Sequence, residues 1–256
     1  MKKVIYLDPG HSISDPGAIR GSEQESYHVR EVCKLLAPML RADGFTVVQV
    51  PDNLDLEGVV NFINSNVKGL DDAYAFSVHI NANADDRHPG AGAEGWHCTG
   101  APGSKEYEIA KETIAIILDK YCEVVGFSRR GVKSDDKAPG GRLWFTRKTK
   151  CYAGLIELCF INNHEEITKL KNNYQLIAEG LRQGIGAAFG IEENNMQVEN
   201  RAELDEIYWQ LLHRRTRDDE NFAGYIMQPE ILVRQELMKS KERAELDELI
   251  RAARPV

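Results

Sequence analysis

Two short apolar segments of this chain carry a histidine at or near their ends. The first, VIYLDPGH over Val4 to His11, stops at a Pro-Gly pair, and the second, AYAFSVHI over Ala73 to Ile80, has His79 next to its last residue. Short apolar runs bounded by turn residues are typical of buried strands. Since open α/β sheets hold their chemistry at the carboxyl ends of the strands, both histidines are candidates for one site.

The rest of the first 191 residues predicts strands that alternate with helices. Strands are predicted over 45–50, 93–98, 143–146 and 154–160, and a polar surface loop over 127–141. Helices are predicted over 56–67, 104–125, 165–171 and 174–189, and another begins near Glu25, where Val29, Val32, Leu36 and Leu40 recur at helical spacing. This order predicts an α/β fold with a twisted, mostly parallel or mixed sheet and helices on both faces.

The composition changes after residue 191. Residues 192–200 (EENNMQVEN) are polar and predict a linker. Residues 201–256 predict only helices, and RAELDEI at 201–207 is nearly repeated as RAELDEL at 243–249. We therefore expect a catalytic domain over 1–191 and a small all-helical accessory region over 201–256.

Charge and apolar patterning argue against several classes of partner. The net charge is −8 and no basic stripe is present, which argues against nucleic acid as a partner. No run approaches the roughly 18 apolar residues that membrane insertion requires. The five cysteines are scattered without a CxxC pair, a pattern typical of reduced thiols. The chain starts without the apolar region of a signal peptide, so we expect synthesis in the cytoplasm.

His11, Glu25 and His79 are candidate metal ligands at one end of the predicted sheet. Catalytic zinc sites use three protein ligands of these types and leave a fourth position for water. Glu25 lies on the apolar stripe of its helix, one turn before Val29, whereas Glu23 points elsewhere. We therefore favour Glu25 as the carboxylate ligand and keep Glu23 as the alternative.

Glu157 is a lone carboxylate within the apolar strand GLIELCF. Burying such a group costs several kcal/mol unless it is paired or has a chemical role. Beside a metal site it can serve as general base and acid. The alternative is a buried ion pair with Arg142 or Arg147.

Several separated motifs together resemble the zinc-dependent N-acetylmuramoyl-L-alanine amidases, sometimes called type 3 amidases. The motifs run in order from Val4 to about Phe189: LDPGHSISDPGA, Glu25, SVHINAN, GAEGW, RGV and LIELCFINN. The resemblance implies that His11, Glu25 and His79 bind Zn²⁺ and that Glu157 assists hydrolysis of the amide between N-acetylmuramic acid and L-alanine of peptidoglycan. The chain departs from the family pattern at Ser12-Ile13, where Gly-Gly is common, and at Ser26, where Lys is common.

Other polar and aromatic residues receive secondary assignments. Arg142 and Asn81 are candidate substrate-binding residues, Arg142 for a stem-peptide carboxylate. We expect His28 on a helix surface and His97 in a solvated or locally bonded position. Trp96 and Trp144 are candidates for lining the cleft.

The expected setting is a lysin, of the phage type, that accumulates in the cytoplasm and reaches the bacterial wall after release. A role in spore mother-cell lysis is the alternative setting. The helical accessory region then serves wall targeting or homo-oligomerisation. Two other functions remain open: a wall-binding protein without turnover, and a zinc peptidase that cuts within the stem peptide.

Overall fold

The computed structural model describes residues 4–84, 87–98, 100–138 and 143–191, and the predicted linker and helical accessory region lie outside these residues. The strands are β1 (Val4–Asp8), β2 (Ile19–Arg20), β3 (Glu23–Gln24), β4 (Thr46–Gln49), β5 (Ala73–Asn81), β6 (Ala93–His97), β7 (Arg129–Ser134) and β8 (Tyr152–Phe160). The helices are α1 (Glu25–Ala42), α2 (Leu56–Asn66), α3 (Lys105–Val125), α4 (Trp144–Lys148), α5 (His164–Asn172) and α6 (Tyr174–Ala188), with one 3₁₀ turn over Asp135–Lys137. None of the helices in these ranges is both long and apolar enough to cross a bilayer.

The main sheet has six strands in the order β4-β1-β5-β8-β6-β7. Strands β4, β1, β5 and β8 are parallel, β6 runs antiparallel to β8, and β7 is parallel to β6. The predicted mixed α/β sheet is therefore confirmed. The short β2–β3 pair leads directly into α1.

The two faces of the sheet are covered to different extents. One face packs against α1, α3 and α6 in a large core that includes Leu7, Phe76, Val78 and Ile156. The opposite face packs against α2 and α4 through a smaller core that includes Tyr6 and Ala75. Successive strand residues point to opposite faces. On this same face, the strand side chains that follow the smaller core toward the carboxyl ends of the strands therefore line a cleft.

The apolar stripe predicted for α1 is buried as expected. Val29, Val32, Leu36 and Leu40 are each fully buried. Glu25 continues the same stripe and is only 4% exposed. The helix therefore delivers this carboxylate to the end of the sheet.

Two predicted segments differ from the structure. The predicted loop over 127–141 contains β7, an edge strand whose polar, half-exposed residues hide the apolar alternation of a strand. The predicted strand over 143–146 is instead part of the short helix α4. Its apolar run is too short for periodicity to distinguish a strand from a helix.

All five cysteines are reduced thiols, as predicted. Cys33, Cys151 and Cys159 are buried, whereas Cys98 and Cys122 are partly exposed. Burial raises the pKa of the Cys151 thiol to about 11. These buried thiols therefore act as small apolar side chains.

Candidate metal centre

His11 lies on the loop after β1 and is the one non-glycine residue of the described ranges with a positive φ, 61°. That backbone conformation is costly for a residue with a side chain and is frequent at functional sites. Nδ1 of His11 is 2.9 Å from a carboxylate oxygen of Asp15. Nε2 of the same ring is 3.0 Å from Oε2 of Glu25. Asp15 therefore orients the ring so that its other nitrogen faces Glu25.

Glu25 is the first residue of α1, where the helix dipole favours a carboxylate. The backbone N–H of Ala18 donates to its Oε2 at 3.0 Å, and the N–H of Ile80 donates to its Oε1 at 2.9 Å. Oε1 is also 2.9 Å from Nδ1 of His79. Burial raises the pKa of this carboxyl, but the bonds to His11 and His79 outweigh burial and hold its pKa far below the usual range. Glu25 is therefore a fixed anion between two imidazoles.

His79 lies near the carboxyl end of β5, and its ring centroid is 5.0 Å from that of His11. One ligand atom from each of His11, Glu25 and His79 lies within 4.8 Å of the others. Burial lowers the pKa of His11, but hydrogen bonds and charges from Glu25 and Asp15 raise it to about 9. The pKa of His79 is also raised, because Glu25 outweighs burial. These shifts are those of two imidazoles held against a buried carboxylate.

Gly17 keeps the space next to this cluster open. Its φ is +65°, and a Cβ atom there would lie 2.6 Å from the His11 ring and 2.7 Å from Oε2 of Glu25. Contacts this short require one of the neighbours to move. Any larger residue at position 17 would therefore displace the candidate ligands.

Glu157 on β8 lies beside His79 in the register of the parallel β5–β8 pair. The residue is partly exposed, but its Oε2 atom is buried and has no hydrogen-bond partner among the described residues. Burial, together with the negative charges of Glu25 and Glu94 and against the attraction of His79, raises the pKa of Glu157 to about 8. Arg147, one of the two cations proposed as its partner, instead binds Asp135 at 2.6 and 2.7 Å. Arg142, the other, lies outside the described residues.

Glu23 is occupied elsewhere. Its Oε2 is 2.9 Å from Nε2 of His28, and its Oε1 accepts from Lys171 at 2.8 Å. His28 is only 2% exposed, and its Nδ1 is 2.5 Å from the Tyr174 hydroxyl. The prediction of His28 on the helix surface was therefore wrong, because this side chain ties α1 to α6. Glu25, and not Glu23, is the carboxylate that lies with the two histidines.

Glu94 forms an ionic cluster next to Glu157 that the sequence analysis did not identify. It is 2% exposed, and its Oε2 accepts from Nε of Arg130 at 2.8 Å and from Nζ of Lys133 at 2.7 Å. Its Oε1 accepts from the Asn81 side chain at 3.0 Å. Asn81, proposed as a substrate-binding residue, thus holds Glu94. The sequence signal for this cluster was Glu94 itself, a second lone carboxylate within a buried strand.

The cleft beside these residues has a volume of about 340 Å³. His11, His79, Asp8 and Asp15 lie on its polar side, and Leu54, Leu56 and Trp144 lie on its apolar side. Trp144 is 46% exposed, as a cleft-lining residue should be, whereas Trp96 is buried. The cleft therefore presents an apolar wall opposite the candidate metal ligands.

His97 was expected in a solvated or locally bonded position and is instead 1% exposed. Its ring packs edge-on against Tyr107 with centroids 4.7 Å apart, and its Nδ1 has no hydrogen-bond partner in the described part of the chain. Burial lowers its pKa. It is a neutral packing residue of β6.

A mixed α/β sheet with a partly buried His-Glu-His cluster beside Glu157 at the strand ends defines a candidate metallohydrolase. The chain belongs to the N-acetylmuramoyl-L-alanine amidase family, whose model matches residues 5–187. The match spans all four residues of the candidate site.

Named relatives support this assignment, and a solved structure shows the same fold. The chain is 30% identical to the amidase CwlM of Bacillus licheniformis over 199 residues, covering 74% of this chain and 70% of CwlM. It is 26% identical to the endolysin of Bacillus phage SPP1, covering 76% and 69%. It is 27% identical to the amidase LytC of Bacillus subtilis but spans only 32% of LytC, with 66% of this chain aligned. The crystal structure of an N-acetylmuramoyl-L-alanine amidase from Clostridium difficile 630 matches with a TM-score of 0.63 at 22% identity, covering 75% of this chain and 99% of that one, and this likeness shows the fold.

Proposed function

We propose that this chain hydrolyses the amide bond between N-acetylmuramic acid and the L-alanine of the peptidoglycan stem peptide, with Zn²⁺ bound by His11, Glu25 and His79. The observation that carries the proposal is the convergence of these three side chains, from three separate segments, beside Glu157, whose Oε2 has no hydrogen-bond partner among the described residues. Membership of the amidase family supports the choice of bond.

The donor set fits a catalytic zinc ion. Two imidazoles and one carboxylate are a common set of three protein ligands. Asp15 on His11 and the two backbone amides on Glu25 are the outer hydrogen bonds that orient such ligands. A zinc ion held there would supply a Lewis acid that polarises the scissile carbonyl and lowers the pKa of water.

Glu157 is proposed as the general base and acid. Its Oε2 has no partner in the described residues and can accept the proton of the attacking water. The protonated carboxyl then donates this proton to the departing nitrogen of L-alanine. Burial raises the pKa of this carboxyl, which favours its acceptance of the proton from water.

The cleft is proposed to hold the muramyl side of the substrate. Trp144, Leu54 and Leu56 offer an apolar wall on which a sugar ring and the lactyl methyl group can pack. The peptide then extends toward β6 and β7, across Glu157. Arg142, lying outside the described residues, stays a proposed contact.

A lysin that attacks the bacterial wall is the proposed setting, and the similarity to the endolysin of phage SPP1 supports it. The linker and helical accessory region proposed for residues 192–256, with wall targeting or homo-oligomerisation as its role, lie outside the described residues.

The test is digestion of purified peptidoglycan by the zinc-loaded full chain, with identification of the new amino terminus. We expect L-alanine, loss of activity with a chelator, and recovery on addition of zinc. An amino terminus from farther along the stem peptide would indicate a peptidase. Binding without any new terminus would indicate a wall-binding protein.

A further inference from the structure

We propose that Arg130 and Lys133 bind a free carboxylate of the stem peptide on the β6–β7 side of Glu157, and so select peptides with an acid at their second residue. This inference rests on the proposed function, since it names the substrate feature that the same site recognises.

Both cations are held in fixed positions beside the reaction centre. Glu94 accepts a hydrogen bond from each. The guanidinium of Arg130 also lies over the Phe160 ring at 4.7 Å, and the ammonium of Lys133 lies over the Trp96 ring at 5.0 Å. Preorganised cations lose less conformational entropy on binding a ligand than flexible ones.

Glu94 does not neutralise this pair. One buried carboxylate faces two cations, and its other oxygen is bound by the uncharged amide of Asn81. The cluster therefore has a net charge of about +1. The side chains of Arg130 and Lys133 remain 36% and 35% exposed. An ammonium group has three donors, and Glu94 is the hydrogen-bond partner of Lys133 in the described part of the chain. Donors are thus available to a ligand.

The other side of the site is unsuited to an anion. The described residues that line the 340 Å³ cleft include Asp8, Asp15 and Asp55 but neither Lys nor Arg. The two imidazoles that also line the cleft face Glu25, so a peptide carboxylate finds open cationic donors at Arg130 and Lys133. Among the described residues, the charge distribution therefore favours a path of the peptide from the scissile bond toward β6 and β7.

The distances fit the second residue of the stem peptide. Glu94 lies opposite Glu157 in the β6–β8 register, and neighbouring strands are about 4.8 Å apart. Arg130 and Lys133 lie on β7, one strand farther. An extended peptide advances roughly 3.5 Å per residue, so the residue after L-alanine places its carboxylate over this cluster.

The direct test is calorimetric binding of a product peptide to the full chain. The probes are L-alanyl-γ-D-glutamyl-L-lysine with a free α-carboxylate and the same peptide with an α-carboxamide. We expect the acid to bind the unsubstituted protein about tenfold or more tightly than the amide, since charge-assisted bonds are stronger. Equal affinities would overturn the inference, and this comparison requires no variant.

Two variants and a matched control locate the effect. Lys133→Met keeps the aliphatic stem over Trp96 and should reduce binding of the acid to the level of the amide, whereas Lys133→Arg should restore the preference. Lys111→Met removes an exposed charge on α3 and should leave both affinities unchanged. A Lys133→Met protein that keeps the full preference would contradict the assignment.

Hydrolysis separates this inference from the proposed function. The substrates are muramyl peptides that carry the acid or the amide. Lys133→Met should raise KM for the acid substrate. Its kcat for that substrate, and both constants for the amide substrate, should stay within about twofold of those of the unsubstituted protein. An equal fall in kcat on both would show that Lys133 only positions Glu94, which would refute the binding role. If the unsubstituted chain binds the acid selectively but cleaves neither substrate, the proposed function fails and the anion site stands.

Discussion

Glu94 and Glu157 lie directly opposite each other on the antiparallel strands β6 and β8, yet the pKa values of their carboxyl groups shift in opposite directions. Burial raises the pKa of both. At Glu94 the hydrogen bonds and charges of Lys133 and Arg130 outweigh burial and hold the pKa below its usual value. At Glu157 the attraction of His79 and His11 does not outweigh burial, and the pKa rises to about 8. Two carboxyls in one site with separated pKa values indicate two roles, a fixed anion and a proton carrier.

The first prediction concerns catalysis by the proton carrier. Glu157→Gln should lower kcat about 10²- to 10⁴-fold, because the amide cannot accept a proton, and should leave bound zinc unchanged. Kinetics on muramyl peptides and metal analysis of the same preparation measure both effects. Glu112→Gln, on the exposed side of α3, is the control. Undiminished turnover by Glu157→Gln would refute the proposed mechanism.

The second prediction is that Glu157 destabilises the metal-free fold above acidic pH. The pKa of this carboxyl is 4.5 in the unfolded chain and higher in the folded one. Its contribution to the free energy of unfolding is therefore fully present below pH 4.5 and is lost as the pH rises toward about 8. Gln does not ionise. Glu157→Gln should therefore match the unsubstituted protein near pH 4 and be more stable by about 2 kcal/mol or more at pH 8.

Urea unfolding of both chelated proteins at pH 4, 6 and 8 measures this difference. Comparing the two proteins at each pH cancels the groups that they share. A difference that is constant with pH would show that Glu157 has an ordinary pKa.

The third prediction concerns the hydrogen bond that Nδ1 of His11 donates to the carboxylate of Asp15. Asp15→Asn replaces the carboxylate that fixes the His11 ring with a weaker, uncharged acceptor, so zinc affinity should fall about 10- to 100-fold. Competition with a chromophoric chelator measures the affinity. Asp136→Asn, an equally conservative change of an acid on the 3₁₀ turn, should have no effect. Equal affinity in Asp15→Asn would show that Asp15 does not orient a ligand.

The fourth prediction is that zinc binding releases protons at neutral pH. The pKa of His11 is raised to about 9 without metal, so this imidazole is charged at pH 7. It must lose its proton to become a ligand. Calorimetry in buffers of different ionisation enthalpy should show release of about one proton or more, and zinc affinity should weaken as pH falls. Binding with no proton release would mean that His11 is not a ligand.

The local sequence was sufficient to predict the strand-end histidines and the burial of Glu25. His11 and His79 follow apolar runs, and Glu25 continues the helical stripe of Val29, so each position has a signal within about ten residues. The zinc assignment also depended on the resemblance between separated motifs. Local periodicity thus places each candidate ligand on its own element, whereas the convergence of the ligands depends on the topology of the sheet.

The cluster around Glu94 could not be predicted in this way. Its cations lie on β7, an edge strand with polar, half-exposed residues that resemble a loop in sequence. The pairing of β6 with both β7 and β8 brings Arg130 and Lys133 beside Glu157, and that pairing has no local signal. The burial of His28 escaped prediction for the same reason, since its partner Tyr174 is 146 residues away in the chain.

The last prediction tests the packing of α6 on α3, which supports the face of the sheet opposite the cleft. A Cβ atom at Gly184 would lie 2.7 Å from the backbone oxygen of Ile117 and 2.9 Å from its Cα, and neither atom can move without shifting α3. Gly184→Ala should therefore lower the free energy of unfolding by about 1–3 kcal/mol. Gly186→Ala, on the same helix, meets nothing closer than 3.5 Å and should raise stability by up to about 1 kcal/mol through helix propensity. Urea unfolding of the two variants distinguishes steric overlap from propensity, and stabilisation by both would show that the helices do not pack this closely.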